Sequence, residues 1–325
     1  MKAITISEFG GPEVLVPAQI EKPSPTNEQV LIRVKAFGVN RAETYMRSGA
    51  WGDVARVSGI ECVGQVEFDP SNRLKPGDKV AAMMGGMGRT INGSYAEYVA
   101  VPASNVVAIE TELPWAQVAA IPESYGTAWY CLFRNLLLKP GDTLFVRGGT
   151  SALGLAAINL AKRVGNVRIL ASTRSGFKAQ LLRDHGASDV LIDSGDLAED
   201  LRSNETSGVD AVLDLVGNTT LLDSLRMAKV GGTVCNAGFL GGGDPIAFNP
   251  LTDMPSGVNL NFFASFMLGS PDFPMSDIPL QDIIRQAEKG HILAKPSQVL
   301  GFDEVHEAHR VMESNNANGK LVVEL

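Results

Sequence analysis

The segment VRGGTSALGLAAINLAKRVG, which begins at Val146, contains the residues best suited by type and spacing to bind a ligand. Gly148, Ser151 and Gly154 recur every third residue between an apolar strand and a helix. Backbone N–H groups at a helix N-terminus bind pyrophosphate, and glycines there permit a sharp turn and a close helix. Ser151 replaces the usual middle glycine and would add a hydroxyl donor near the diphosphate. The pattern predicts dinucleotide binding, with a turn that serves packing alone as the alternative, and the residues concerned are Gly148, Thr150, Ser151, Ala152, Leu153 and Gly154.

The next strand, VRILAST, ends in residues that discriminate between nicotinamide dinucleotides. Sites for NAD place an Asp or Glu about 20 residues after the turn, on the ribose 2′-hydroxyl. At that point this chain offers the hydroxyls of Ser172 and Thr173 and the positive charges of Arg174 and Lys178. These groups suit a 2′-phosphate, so we expect NADPH as the cofactor. The alternative is that Arg174 and Lys178 are solvated surface cations.

The composition excludes several classes of partner. The 325 residues carry 28 Lys and Arg against 36 Asp and Glu, a formal net charge of −8, whereas nucleic-acid binding needs clustered positive charge. No apolar run is long enough to cross a bilayer, and the N-terminus has no apolar signal core. Cys62, Cys131 and Cys235 are widely spaced and fit reduced thiols. We therefore expect a cytoplasmic protein without nucleic-acid or membrane partners.

The order of strands and helices indicates an α/β protein of two domains. Short strands separated by turns fill the first third of the chain, which we interpret as a partly open β-barrel. Apolar strands then alternate with helices from TLFVRGG to GGTVCNAG, and this alternation predicts a parallel sheet covered on both faces. The chain ends in the strand GKLVVEL, and we expect this tail to return to the first domain.

Several ordered motifs resemble those of the medium-chain dehydrogenase/reductase superfamily, in particular its zinc-free NADPH:quinone oxidoreductase branch. The resemblance covers essentially the whole chain through the following segments: GGPEVL, GVNRAETYMRSG, SGIECVG, LKPGDKVAA, GSYAEYVAVPA, GTAWYCL, the glycine turn and GKLVVEL. It implies a GroES-like β-barrel catalytic domain formed by residues 1–122 and 268–325. It also implies a Rossmann domain with a doubly wound parallel sheet over residues 123–267, and a homodimer joined through its last strand near NLNFFASF.

The ligands that hold zinc in related enzymes are missing from the matching positions. Zinc relatives use Cys and His in the N-terminal domain. This chain has Asn40 in place of a Cys ligand, and it reads Gly59-Ile60-Glu61 where a zinc alcohol dehydrogenase would read Gly-His-Glu. The sequence therefore predicts a site without a metal.

Without zinc, an alkoxide is not readily formed from an alcohol at neutral pH, so the hydride acceptor must already be electrophilic. Quinones and α,β-unsaturated carbonyls meet this requirement, and the protein must position them and stabilise a developing oxyanion. The resemblance places three catalytic candidates at the nicotinamide cleft: Asn40, Glu43 and Tyr45. Asn40 would offer an amide, and Tyr45 a phenol that donates a hydrogen bond. The alternatives are a left-handed turn for Asn40, a surface charge for Glu43 and a packed aromatic ring for Tyr45.

The resemblance also implies further cofactor contacts, most of them at strand ends, where ligands of such sheets bind. The residues concerned are Thr127, Val216, Gly217, Ala237, Gly238, Phe239, Phe263, Ala264 and Lys320. Packing inside a helix is the alternative for Thr127, core packing for Phe263, and a surface position for Lys320.

Two further expectations concern charged or titratable residues. Asp193 stands where relatives carry a Tyr near the adenosine phosphate, and its carboxylate is expected to repel that phosphate. His309, in the C-terminal tail, is expected at the surface.

Three functions fit these residues. The first is hydride transfer from NADPH to a small-molecule quinone or a similar conjugated carbonyl. The second is NADPH-dependent reduction of activated alkenes, such as 2-alkenals and enones. Enoyl thioesters fit less well, because Trp51 stands near the point where enoyl-thioester reductases usually carry a catalytic Tyr. The third is a non-catalytic NADPH-binding protein.

Overall fold

A computed structural model describes residues 1–204 and 207–325 of the chain. These residues divide into two compact units. The terminal unit comprises Met1–Gly126 and Ser265–Leu325, and the central unit comprises Thr127–Ala264.

The secondary structure follows the predicted order of strands first and alternating strands and helices later. The strands are β1 (Lys2–Ile6), β2 (Leu15–Gln19), β3 (Gln29–Val39), β4 (Glu61–Phe68), β5 (Lys79–Met83), β6 (Tyr98–Pro102), β7 (Val106–Ala108), β8 (Thr143–Arg147), β9 (Arg168–Thr173), β10 (Asp189–Ile192), β11 (Val209–Asp214), β12 (Ala228–Asn236), β13 (Asn259–Phe262), β14 (Gln298–Gly301) and β15 (Leu321–Glu324). The helices are α1 (Arg41–Ser48), α2 (Trp115–Val118), α3 (Pro122–Tyr130), α4 (Ala152–Val164), α5 (Ala179–His185), α6 (Ala198–Asn204), α7 (Leu221–Met227), α8 (Pro250–Asp253), α9 (Leu280–Glu288) and α10 (Val305–Glu313).

The central unit contains a parallel sheet with the strand order β10-β9-β8-β11-β12-β13. Its inner strands are rich in apolar residues, and Phe145, Leu170, Val212 and Val234 are buried in one core cluster. Strands that are buried on both faces need such continuous apolar runs. The order reverses between β8 and β11, which creates the switch point where dinucleotides bind in such sheets. This confirms the predicted Rossmann-like parallel sheet.

The terminal unit is built around the long strand β3, which pairs antiparallel with β4, β6 and β15. In the pairing of β15 with β3, Leu321 lies opposite Val39. The C-terminal strand therefore completes the sheet begun by the N-terminal segment, as the sequence predicted. The register also brings Lys320, just before β15, to the end of β3, where Asn40 follows.

Among the described residues, no helix combines the length and the apolar character that crossing a bilayer requires.

Candidate functional site

Asn40 joins the end of β3 to the start of α1. Its backbone is extended (φ −121°, ψ 158°), so the left-handed turn considered for this residue is wrong. The carboxyl group of Glu43, one turn into the helix, accepts the Asn40 backbone N–H at 2.7 Å. Such a contact is typical of a helix N-terminus, where the first N–H groups lack intrahelical partners. Glu43 is fully buried, so it is not the surface charge considered above.

A buried polar cluster surrounds the ammonium group of Lys320, and we call it the Lys320 cluster: Asn40, Glu43, Glu61, Glu123 and Lys320. Lys320 is only 4% exposed, so its predicted alternative of a surface position is wrong. Its Nζ forms an ion pair with Glu61 Oε1 and donates to Asn40 Oδ1 at 2.5 Å. Glu123 Oε2 lies 4.0 Å from the same nitrogen. One buried cation is thus shared by several oxygen acceptors.

The side-chain amide of Asn40 is already hydrogen-bonded on both sides. Its Oδ1 accepts from Lys320, while its Nδ2 donates to Glu61 Oε1 at 3.0 Å and to Glu43 Oε1 at 3.3 Å. We expected this amide to contact the substrate or cofactor directly. Instead, the neighbouring charges determine which way the amide oxygen points.

Burial and charge determine the protonation of the cluster. Burial raises the pKa of Glu43 to about 8, because a charged carboxylate is poorly solvated there, although Lys320 partly opposes this. Burial would lower the pKa of Lys320, but the charges of Glu61 and Glu123 outweigh it, so the pKa is raised. At neutral pH we therefore assign a charged Lys320 and a protonated Glu43.

Sequence reasoning missed Glu61, Glu123 and the glycine that makes room for the lysine. A Cβ on Gly38 would lie 2.3 Å from Lys320 Cε and 2.4 Å from Glu61 Oε1. The available signal was the glycine two residues before Asn40 in an otherwise bulky strand, since such a glycine often marks close approach of another group.

Tyr45 belongs to a second group of side chains, on the far turn of α1. Its ring lies 5.6 Å from that of Trp51, and Arg89 Cζ lies 5.3 Å from the Trp51 ring and 5.7 Å from the Phe266 ring. Tyr45 is half-buried, and burial raises the pKa of its phenol. The hydroxyl is therefore protonated at neutral pH and can donate. The contact of this ring with Trp51 agrees with the alternative of a packed aromatic residue that was considered for Tyr45.

His309 anchors the opposite side of α1, and the predicted surface position for it is wrong because it is fully buried. Arg47 NH1 lies 3.3 Å from His309 Nδ1, and Tyr95 Oη lies 3.0 Å from Nε2. Arginine can only donate, so Nδ1 accepts and the ring proton is on Nε2, facing Tyr95. Arg47 also forms an ion pair with Glu313. These contacts tie α1 to α10 in the terminal unit.

We expect His309 to make the protein less stable in acid. Burial, with help from the charge of Arg47, lowers its pKa from 6.5 to about 3. Between pH 6.5 and about pH 3, His309 is therefore protonated in the unfolded chain but neutral in the folded protein. Over this range the free energy of unfolding falls by about 1.4 kcal/mol for each unit by which the pH is lowered. Urea unfolding should show about 2 kcal/mol less stability at pH 5 than at pH 7 from this group. His309→Gln, which keeps a donor and an acceptor, should remove that difference, whereas His306→Gln on the same helix should retain it.

In the central unit, the glycine turn joins β8 to α4. Gly148 has a φ of 79°, which favours glycine. Ser151 Oγ accepts the N–H of Gly154 at 3.0 Å and donates to Gly148 O at 2.9 Å. The serine hydroxyl that we expected to face a diphosphate thus closes the turn. The residues that stay partly exposed around the helix start are Gly148, Thr150, Ser151, Ala152 and Leu153.

The four residues predicted to bind a 2′-phosphate, at and after the end of β9, differ in their exposure and hydrogen bonding. Ser172 is fully buried, and its hydroxyl donates to Asp193 at 3.1 Å rather than facing outward. Thr173 Oγ1 accepts the N–H of Ser175 at 3.2 Å. Arg174 is exposed and Lys178 is partly exposed. The two cations are thus the accessible members of the predicted set.

The turns after β11 and β12 bring further predicted cofactor residues together. Asp214 Oδ1 accepts the N–H groups of Val216 at 2.8 Å and Gly217 at 2.9 Å. A Cβ on Gly217 would lie 2.5 Å from Gly238 O, so the two strand ends are in close contact. These backbone segments form part of the carboxyl edge of the parallel sheet.

The larger predicted cofactor residues differ in exposure. Phe263 is buried and stacks on Tyr130 with ring centroids 5.4 Å apart, the core packing considered as its alternative. Thr127 is buried within α3. Phe239 is exposed and contacts Phe262 at 5.8 Å between centroids. The small residues that remain partly exposed at these strand ends are Ala237, Gly238 and Ala264.

Within residues 1–204 and 207–325, no three His, Cys, Asp or Glu side chains are grouped as a metal site would require. The residues at the positions where zinc relatives carry their ligands also do not fit zinc. Asn40 is an amide bound to Lys320, and Ile60 has an apolar side chain.

Comparison with known proteins agrees with this architecture. Residues 26–111 match the family model of the alcohol dehydrogenase GroES-like domain, and residues 185–323 match that of the zinc-binding dehydrogenases. Human quinone oxidoreductase is 30% identical over 342 residues, with 99% of this chain and 97% of that protein covered. The quinone oxidoreductase of Lama guanicoe is 29% identical over 332 residues, with the same shares covered.

Among solved structures, a mycobacterial protein complexed with NADPH superimposes with a TM-score of 0.87 at 27% identity, covering all of both chains. The similarity to these proteins therefore extends over both units and not over one domain alone. With the two family models and the human relative, it shows that this chain belongs to the quinone oxidoreductase branch of the medium-chain dehydrogenase/reductase superfamily.

Proposed function

We propose that this protein transfers hydride from NADPH to quinones or similar conjugated carbonyls without a metal. The observation that supports this most directly is the Lys320 cluster. At the two positions where zinc relatives have a Cys and a His ligand, Asn40 accepts from a lysine ammonium that also pairs with Glu61, and Ile60 is apolar. Zinc prefers thiolate, imidazole and carboxylate ligands. Asn40 and Ile60 provide none of these, and the Glu61 carboxylate is paired with Lys320.

The central unit offers groups that suit NADPH. The turn after β8 presents the N-terminus of α4, whose N–H groups and dipole favour a diphosphate. Arg174 and Lys178 offer positive charge at the end of β9. When bound, NADPH would supply the hydride; the residues proposed to hold it are Thr127, Gly148, Thr150, Ser151, Ala152, Leu153, Gly154, Ser172, Thr173, Arg174, Lys178, Val216, Gly217, Ala237, Gly238, Phe239, Phe263, Ala264 and Lys320.

The terminal unit supplies the proposed catalytic groups. Lys320 and Glu61 hold the amide of Asn40, and protonated Glu43 fixes the start of α1. Tyr45, on the same helix, presents a protonated phenol that can donate to an oxygen on which negative charge develops. We therefore assign Asn40 and Glu43 to positioning and Tyr45 to proton donation.

The activity is tested by following NADPH oxidation at 340 nm with a naphthoquinone and, separately, with a 2-alkenal or an enone. Turnover of the quinone supports the proposal. Turnover of the alkene alone identifies an activated-alkene reductase, which the protonated Tyr45 phenol also favours because such a product needs a proton. NADPH binding without turnover of either acceptor identifies a non-catalytic protein and contradicts the proposal.

We expect Tyr45→Phe to lower kcat on an enone by about 10²–10⁴-fold, the range that general acid catalysis provides. A quinone can gain its protons from water, so its turnover should change much less. Tyr98→Phe, whose hydroxyl contacts Arg33 on the sheet, is the matched control and should leave both rates unchanged. Unaltered enone turnover in Tyr45→Phe would remove this residue from the mechanism.

We expect Arg174→Ala to raise the KM for NADPH by about 10- to 100-fold, since one charge-assisted hydrogen bond contributes about 1.5–3 kcal/mol. The KM for NADH should stay the same, because NADH lacks the 2′-phosphate. Arg163→Ala removes an exposed arginine on α4 and serves as the control. Equal KM values for both cofactors in the unaltered protein would contradict the NADPH preference.

We also propose a homodimer formed along the edge strand β13. Leu260 is 39% exposed and Phe262 is 52% exposed, and β13 is an edge strand of its sheet, a position that in general favours pairing with another chain. A cytoplasmic location stays a prediction. It agrees with the free state of all three cysteines, which are buried.

A further inference from the structure

A fully buried arginine lies at the end of β8, directly before the glycine turn. Arg147 donates to Asp193 through two nitrogens, Nε to Oδ2 and NH2 to Oδ1, each at 2.9 Å. Its NH1 donates to Asp223 Oδ2 at 2.6 Å and to Ser224 Oγ at 3.2 Å, and its NH2 also reaches Gly195 O at 3.0 Å. Every part of the guanidinium therefore has an acceptor, as a buried charge requires.

Both carboxylate oxygens of Asp193 likewise have hydrogen-bond donors. Its Oδ2 accepts from Ser172 Oγ at 3.1 Å as well as from Arg147, and its Oδ1 also accepts the Gly195 N–H at 2.9 Å. Burial would raise the pKa of Asp193, but the hydrogen bonds and charge of Arg147 outweigh it, so the pKa is lowered. Asp193 is thus an ionised carboxylate turned toward Arg147.

Asp193 lies next to the position where the sheet would receive the adenosine ribose. Its backbone N–H donates to Thr173 O, the last residue of β9, at 2.8 Å. In dinucleotide sites the end of the strand that corresponds to β9 binds the adenosine ribose, and a carboxylate on the neighbouring strand end, where Asp193 follows β10, would repel a 2′-phosphate. The orientation of Asp193 therefore affects which nucleotide is accepted.

Asp223, the second carboxylate that pairs with Arg147, also accepts hydrogen bonds from other donors. Asp223 accepts the N–H groups of Leu197 at 2.9 Å and Ala198 at 3.1 Å, and Arg226 lies 3.3 Å away. The N–H groups belong to the start of α6, where an anion is favoured. The positive charge of Arg147 is therefore needed chiefly to balance Asp193.

We infer that Arg147 is a specificity-determining residue for the cofactor, because it turns Asp193 away from the ribose and neutralises it, so that a 2′-phosphate can bind beside Arg174. The inference rests on the proposed use of NADPH. It also revises the expectation that Asp193 would repel the phosphate, since sequence position alone could not show its partner.

The test uses two fragments, 2′,5′-ADP and 5′-AMP, whose dissociation constants are measured by calorimetry on the full chain. The unaltered protein should bind 2′,5′-ADP more tightly than 5′-AMP. Arg147→Met leaves the negative charge of Asp193 without a partner. The binding of 2′,5′-ADP should therefore weaken about tenfold relative to that of 5′-AMP, which is the effect of one extra nearby negative charge. The double variant Arg147→Met/Asp193→Asn should restore the ratio, which a merely structural role for Arg147 does not predict.

Asp193→Asn keeps the arginine and tests the inference if Arg147→Met does not fold. It leaves the positive charge of Arg147 without its partner, so 2′,5′-ADP should bind about tenfold more tightly relative to 5′-AMP than it does to the unaltered protein. An unchanged relative affinity for the two fragments in Asp193→Asn, or in folded Arg147→Met, would show that this ion pair does not influence the 2′-phosphate and would overturn the inference. Equal binding of both fragments by the unaltered protein contradicts the NADPH preference instead; a selective loss of 2′,5′-ADP in Arg147→Met would then still support the role of Arg147.

Discussion

Replacing Lys320 by Met is expected to lower the free energy of unfolding by about 3–5 kcal/mol, the cost of leaving a buried charge without its partner. The ammonium is the cation shared by Glu61, Glu123 and the Asn40 amide. Its removal leaves Glu61, which has no solvent exposure, without its cationic partner. Urea unfolding at pH 7 measures the loss.

Two further variants separate charge from packing in the Lys320 cluster. Lys320→Met/Glu61→Gln removes both charges and should recover at least half of the lost stability. Glu43→Gln should change stability by less than about 1 kcal/mol at pH 7, because this carboxyl is already protonated. A loss in Glu43→Gln equal to that in Lys320→Met would contradict the assigned protonation states.

Gly154→Ala is expected to weaken NADPH binding by about 10- to 100-fold, the equivalent of one charge-assisted hydrogen bond. The new Cβ would lie 2.6 Å from Gly149 O and 2.8 Å from Gly148 O. Backbone oxygens cannot move aside as a flexible side chain can, so the turn and the N-terminus of α4 must shift. Nucleotide affinity is measured by calorimetry or by NADPH fluorescence.

The matched control for this prediction is Gly243→Ala, in the same unit. A Cβ there meets nothing within 4 Å, so binding should be unchanged. Thermal unfolding of both variants distinguishes a local change in the turn from a general loss of structure. Unaltered affinity in folded Gly154→Ala would show that the turn does not bind the cofactor.

Short-range patterns in the sequence were sufficient to predict the fold class. Alternating apolar strands and helices predicted the parallel sheet, because strands buried on both faces are made mostly of apolar residues. The strand–turn–helix context of Gly148 and Gly154 predicted a turn of the observed shape. The role of that turn, like those of the other candidate residues, stays a prediction.

The side-chain partners could not be read from residue types. His309 was expected at the surface, yet it is buried and hydrogen-bonded to Tyr95, which lies more than two hundred residues earlier in the chain. Ser151 and Ser172 were expected to face phosphates, yet their hydroxyls bond within the protein. A hydroxyl or imidazole has the same sequence signature whether it is turned inward or outward.

The sequence by itself determined the order of the elements, the parallel sheet and the absence of the usual zinc ligands, since each depends on residue identity and short-range periodicity. Only the tertiary structure decided which charges meet: Lys320 with Glu61, and Arg147 with Asp193. Both pairs join residues distant in the chain through strand register. A buried charge is stable only where such a partner is supplied, and that depends on three-dimensional contact rather than on spacing in the sequence.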